Sequence, residues 1–176
     1  MFEQQHRPGE MGLSDFTEFK AATITINGQP FDHLLYHYRL AYSGWQYVQI
    51  VLGGESLVAL AEGLQNALSQ CGGAPKQHRT DSLSAADRNL EPCAVDDLTE
   101  RYQQLCSHYQ MHPTRNNRGR SHENGAIESP HGHFKRRLHQ ALLLRGSTDF
   151  ERVEDYQQLI AQGNRGVEST LCTQMD

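Results

Sequence analysis

From His33 to Tyr42 the chain alternates, with Leu34, Tyr36, Tyr38, Leu40 and Tyr42 on one side and His33, Leu35, His37 and Arg39 on the other. A period of two is that of a β-strand, and one mostly apolar side predicts a half-buried strand. Strand character begins at Met11, with GLSDFT as the first candidate. The Thr- and Ile-rich run 21–26 ends at Asn27-Gly28, a pair that accepts the positive φ angles of a tight hairpin turn. A further strand from Tyr47 to Leu52 ends at Gly53-Gly54. These strands predict an antiparallel meander.

The period then changes. Leu57, Leu60, Ala61, Leu64, Ala67 and Leu68 recur at helical spacing, and Gly72-Gly73 closes that helix. Lys76 to Thr80 is a short strand ending at Asp81, residues 96–109 read as a helix, and 111–116 as a final short strand. Asn124 opens a long helical pattern through Ile127, His131, Phe134, Leu138 and Leu142 to Gly146. Ser129-Pro130 is itself a good cap and first-turn pair, so the start falls at either place. Three strands, helix, strand, helix, strand and helix predict an α/β domain with a mixed sheet covered by helices. That order is the one of the ribonuclease-H-like fold, five strands in the order 3-2-1-4-5. Residues 1–10 are expected to be a polar lead-in and 11–160 the core. Residues 161–176, which lose all periodicity, are expected to form a disordered tail.

A chain of 176 residues suits one domain with a real core. No apolar run approaches a membrane span and the start shows no signal peptide, so a cytoplasmic location is expected. The four cysteines, Cys71, Cys93, Cys106 and Cys172, show no CxxC spacing and are expected to be reduced. The net charge of -5 argues against a polyanion partner, but its distribution does not. Between His112 and His139 six Lys/Arg face two acids, a +4 stretch that leaves -9 for the rest. Such a segment reads as a polyanion contact or as a solvated helix face.

Three acids stand at element ends or centres: Asp15 in the first strand, Asp81 after the fourth, and Glu128 near the start of the last helix. Where the first and fourth strands lie adjacent and parallel, their junction is a topological switch point at which ligands bind. A trio of carboxylates suits phosphodiester chemistry, because two hard cations such as Mg²⁺ or Mn²⁺ stabilise the attacking and leaving oxygens together. Each residue also has an ordinary reading. Asp81 could cap a helix, Glu128 could favour a helix dipole, and Asp15 could be an exposed acid.

The segments LGGESLVALAEGLQNAL, HRTDSLSAA and PTRNNRGRSHENGAIESPHGHFKRRL resemble transposases of the IstA type. These insertion-sequence enzymes belong to the DDE group and share their fold with retroviral integrases. The resemblance covers about Pro8 to Ile160 and is sharpest at Asn124-Gly125-Ala126-Ile127-Glu128, since an Asn-Gly pair shortly precedes the catalytic Glu in that group. It implies Asp15, Asp81 and Glu128 as the metal-binding triad for two Mg²⁺ or Mn²⁺ ions. It also implies Lys135, seven positions beyond Glu128, as a contact to the DNA end. Seven residues make two helical turns, so Lys135 shares the face of Glu128. Arg115 and Arg118 precede the Glu helix and read as DNA-channel lining or as a polar loop. With Asn124 and His131 they complete the expected DNA-contacting set. His131 and His133 point about 200° apart on a helix and cannot share one ion, so His131 is expected to be buried or to line the site.

The function so implied is metal-dependent DNA cleavage and strand transfer, with DNA as partner, a P-loop ATPase helper and self-association. The family's design is longer, with helix-turn-helix segments before the core and a domain after it. On that comparison the chain reads as a fragment, and the alternative is a truncated, non-catalytic remnant that at most binds DNA or full-length transposase. A nuclease of the same fold acting alone is a third reading.

Overall fold

The computed structural model describes residues 7–80, 92–114 and 121–164, and in 92–98, 121–130 and 164 the backbone alone. The strands are β1 (Met11–Thr17), β2 (Thr25–Ile26), β3 (Gln29–Pro30), β4 (Leu34–Leu40), β5 (Gln46–Val51), β6 (Gln77–Thr80), β7 (His112–Thr114) and β8 (Asp149–Phe150). The helices are α1 (Leu57–Cys71), α2 (Pro92–His108), α3 (Ser121–Arg145) and α4 (Val153–Asn164).

Five strands form one sheet in the order β5-β4-β1-β6-β7. Numbered along the chain, that is the expected 3-2-1-4-5. Strands β1, β4 and β5 pair antiparallel as the expected meander, and β6 joins β1 in parallel with Ser14 opposite Thr80. The hairpin signal at Asn27-Gly28 is real but lies elsewhere. Both residues take positive φ (50° and 74°), and they join β2 to β3 in a separate three-stranded sheet completed by β8.

Strand β4 is buried on both faces, not on one. Tyr36 and Tyr38 pack with Leu60, Leu64 and Leu68 of α1 and with Tyr102 of α2. Leu35 lies in the opposite core with Phe134, Leu138 and Leu142 of α3 and Tyr156 and Ile160 of α4. A strand at the centre of a three-layer sandwich has no solvent face, which is why Leu35 and His37, on the more polar side of the alternation, are only 0% and 2% exposed. Helix α1 starts at the cap Ser56, whose hydroxyl accepts from the Ala59 N–H. It ends at Gly72 in the left-handed conformation, as its sequence signals predict.

Helix α3 begins at Ser121 and runs through Pro130 without a break. Proline has no N–H, so the bond to the Ala126 carbonyl cannot form there. The packing of His131, Phe134, Leu138 and Leu142 holds the rest of the helix on the sheet. Helix α4 follows, an element the periodicity reading passed over although Tyr156 and Ile160 are fully buried at helical spacing.

Candidate nucleic-acid and metal site

Asp15 occupies the middle of the central strand β1, with His37 of β4 as its cross-strand partner. Its neighbours Ser14 and Phe16 point into the α1–α2 side, so alternation places Asp15 on the side covered by α3. Asp15 is half-buried, and its carboxylate accepts a hydrogen bond from the Phe16 N–H at 2.8 Å.

Among the described residues, His131 and Phe134 of helix α3 pack on His37. His131, 9% exposed, lays its ring 4.6 Å (centroid to centroid) from that of His37, and Phe134 lies 5.5 Å from the same ring. Both histidines are neutral. Burial pushes the His37 ring down to about 3, helped by His131. Burial likewise lowers His131 to about 4, with Lys135 adding to the effect. The His37 Nε2 lies 2.9 Å from Gln46 Oε1 and donates to it, which leaves Nδ1 as a lone pair.

One turn beyond His131 stands Lys135, half-buried on the same helical stripe. Burial holds its ammonium below the ordinary lysine range. The carboxylates of Glu18 and Asp15 oppose that shift, whereas Lys20 adds to it. Lys135 is thus in electrostatic reach of Asp15. His133, two residues from His131, is exposed, and its Nδ1 lies 2.8 Å from Arg136, so the two histidines do diverge.

The other face of β1 is fixed by a buried chain. His78 Nε2 accepts from the Ser14 hydroxyl at 2.9 Å, and Nδ1 lies 2.8 Å from the Tyr102 hydroxyl, which donates to the His78 carbonyl at 3.2 Å. Burial drives this ring down to about 3, so it is neutral, with its proton on Nδ1. The chain ties β1 to β6 at the residues just before Asp15 and just upstream of residue 81.

Of the expected site residues, Asp15, His131 and Lys135 come together. Asp81, Arg115 and Arg118 lie outside the described residues, as do the side chains of Asn124 and Glu128. Among the described residues no three His, Cys, Asp or Glu side chains gather to hold a metal ion. Cys71 and Cys106 are buried. Among the described residues no helix is long and apolar enough to cross a membrane. Sequence reading missed His37, whose place beside Asp15 depends on strand register, and the pair Glu18 and Lys20 at the exit of β1.

No protein-family model matches the chain. An uncharacterized protein of Sinorhizobium fredii (strain NBRC 101917 / NGR234), y4jA/y4nE/y4sE, is 58% identical over 160 residues, which are 91% of this chain. The chain spans about a third (32%) of that relative's length. Solved structures of similar shape are retroviral integrase cores. The HTLV-2 integrase catalytic core domain in complex with magnesium, in a dimeric form, has a TM-score of 0.59 at 16% identity. The match covers 93% of this chain and 87% of that one. The simian T-cell lymphotropic virus intasome with the PP2A regulatory subunit B56 gamma gives 0.64 at 13% identity, over 94% of this chain and 50% of that one. The catalytic core domain of BIV integrase gives 0.56 at 16% identity, over 86% and 80%. The fold is ribonuclease-H-like. At such identities this likeness concerns the fold, and the chemistry must be argued from this chain's own residues.

Proposed function

We propose that the chain is the catalytic core of a DNA transposase of the IstA type, cleaving DNA strands and joining the freed 3′-hydroxyl to a target. The observation that carries this reading is the meeting of Asp15 with the stripe of α3 that bears His131 and Lys135. Glu128 precedes His131 by three residues and Lys135 by seven, so helical spacing puts it on that same stripe. Asp81 is bonded to Thr80, whose partner in the parallel β1–β6 ladder is Ser14, the neighbour of Asp15.

The donor chemistry fits a hard divalent cation. Asp15 is a half-buried carboxylate with a lysine ammonium in electrostatic reach, and the expected co-ligands Asp81 and Glu128 are carboxylates too. Asp15, Asp81 and Glu128 would hold two Mg²⁺ or Mn²⁺ ions, which when bound balance the charge of the attacking and leaving oxygens. Lys135 contributes a fixed positive charge beside the scissile phosphate. The neutral His37–His131 contact holds α3 against β4 without adding charge. His131 and the arginines Arg115 and Arg118, with Asn124, extend the DNA contact on this reading. Self-association and a P-loop ATPase helper follow from the resemblance to the IstA type.

The test is nicking of supercoiled plasmid, or strand transfer from a labelled transposon-end duplex, with Mg²⁺ or Mn²⁺. Asp15→Asn, Asp81→Asn and Glu128→Gln should each lower the rate by about a hundredfold or more, because a metal ligand acts on both oxygens at once. Asp96→Asn should leave it unchanged. Equal rates in wild type and Asp81→Asn sink the triad, and no metal-dependent activity in wild type supports the non-catalytic reading.

A further inference from the structure

Strand β5 closes one side of the main sheet, and along its outer edge a cleft of about 470 Å³ opens between α1 and α4. The backbone of residues 46–50 forms its back, Glu62 and Asn66 stand on the α1 wall, and Glu154 and Gln157 on the α4 wall. The charged residues lining it, among those described, are Glu62 and Glu154, one carboxylate on each wall and both exposed. The α1 wall is preset. Gln49 Oε1 accepts from the Tyr47 hydroxyl at 2.8 Å and from the Asn66 amide at 2.9 Å, and Glu62 lies in electrostatic reach of that hydroxyl.

Gln157 shows what this edge takes. Its carboxamide has a donor and an acceptor, as a peptide group has. It donates to the Val48 carbonyl at 3.0 Å and accepts from the Ile50 N–H at 2.8 Å. Donating to one residue and accepting from the residue two further on is the bonding of a strand that runs parallel to β5.

We infer that the cleft receives an extended segment of another protein, added parallel to β5 in place of the Gln157 amide and carrying two adjacent basic residues. Successive side chains of a strand point to opposite faces. Two neighbouring lysines or arginines therefore reach one to the α1 wall and one to the α4 wall, and each meets a single carboxylate. In strand addition the main-chain bonds give affinity and the side-chain positions give selectivity. A second copy of this chain fits less well. A two-fold contact would pair β5 with itself antiparallel, and it would gather the carboxylates of both copies in one interface. Asp15 lies on β1, with β4 between it and β5, so the inference does not rest on the proposed chemistry.

The experiment is fluorescence anisotropy of a labelled, end-blocked peptide, Thr-Val-Lys-Lys-Val-Thr, with the full chain at low salt, without metal or DNA. Saturable binding is expected, and it should be lost when both lysines are replaced by glutamate or when alternate backbone nitrogens are methylated. Glu62→Gln and Glu154→Gln should each weaken binding about two- to fivefold, the range of an exposed charge pair. Glu100→Gln, an exposed acid on α2, should not. All three variants exchange exposed side chains, so folding is not at stake. The side-chain amide resonances of Gln157 should shift on titration with the peptide. No binding of the basic peptide overturns the inference, as does equal binding of its methylated form. Unchanged affinity in both Glu62→Gln and Glu154→Gln overturns the basic partner. A dimer of the chain that Gln157→Glu dissolves, with no peptide bound, gives the edge to a second copy instead.

Discussion

His37 and His131 place their rings 4.6 Å apart, a contact between the strand beside Asp15 and the helix that carries Glu128. Two imidazoles so close are compatible only while neutral. His37 also feels Arg39 and Arg137, and His131 feels Lys135, and these positive charges oppose protonation.

Acid should therefore unfold the protein through its buried histidines. His37 and His78 titrate at about 3 and His131 at about 4 in the folded state, against about 6.5 when unfolded. A histidine whose folded value is depressed binds its proton first in the unfolded chain. Stability is then complete above about pH 6.5 and declines as the pH falls toward 4. Each group contributes up to about 1.4 kcal/mol per pH unit in that window. Urea midpoints measured at about pH 7 and pH 5 should fall steeply, and His131→Gln should flatten the fall by roughly a third. Equal midpoints at the two pH values would mean that these rings are hydrated.

A second prediction concerns Gly63, where α1 crosses β4. A Cβ built there would stand 2.6 Å from Cγ of the Tyr36 ring, and Tyr36 is fully buried beneath it. Alanine favours a helix over glycine by about 1 kcal/mol, but overpacking of a tight core costs about 1–3 kcal/mol. Gly63→Ala should thus lower stability, against its helix propensity. The check is the chemical-denaturation midpoint, with Gly132→Ala as the control, because nothing lies within 4 Å of a Cβ at Gly132. A midpoint raised in Gly63→Ala would mean that α1 sits further from the sheet.

A third prediction tests the buried chain behind Asp15. Tyr102→Phe removes the hydroxyl that meets His78 Nδ1 and the His78 carbonyl. A buried donor left without a partner costs about 1–3 kcal/mol. The variant should unfold at lower denaturant by that amount, and a loss below a few tenths of a kcal/mol would show that another group takes over the ring nitrogen.

Legibility in the sequence followed the physics of each element. The meander and α1 with its closing Gly72 were readable because period and turn residues are local signals, and the order of the five strands followed from the likeness of the element order to a known fold. Asp15 could be singled out, but His37 could not, because its place beside Asp15 is set by a pairing register that no local signal encodes. Helix α4 escaped because its buried residues, Tyr156 and Ile160, are spaced among glutamines and acids in so short a segment. The half-buried reading of β4 failed for a related reason. Whether His37 faces water depends on α3, which is nearly a hundred residues away in sequence.

The last prediction gives α4 a specific task at the rim of the sheet. Strand β5 is the edge, and its outward backbone groups at Val48 and Ile50 are open to pairing with another chain. Gln157 of α4 closes that gap. Its side-chain carbonyl accepts from the Ile50 N–H at 2.8 Å, and its amide donates to the Val48 carbonyl at 3.0 Å. One side-chain amide thus satisfies two ladder positions, as a neighbouring strand would. Gln157→Ala should bare both groups while changing no core residue. The expected result is a modest loss of stability, about 1–3 kcal/mol for the backbone groups left unpaired. It should come with concentration-dependent association visible by light scattering. Gln157→Glu separates the two effects, because a carboxylate can still accept from Ile50 N–H but cannot donate to the Val48 carbonyl. Its added charge should also suppress association. Association in Gln157→Ala but not in Gln157→Glu is the signature of a guarded edge. A monodisperse, fully stable Gln157→Ala protein would show that the edge is covered by other means.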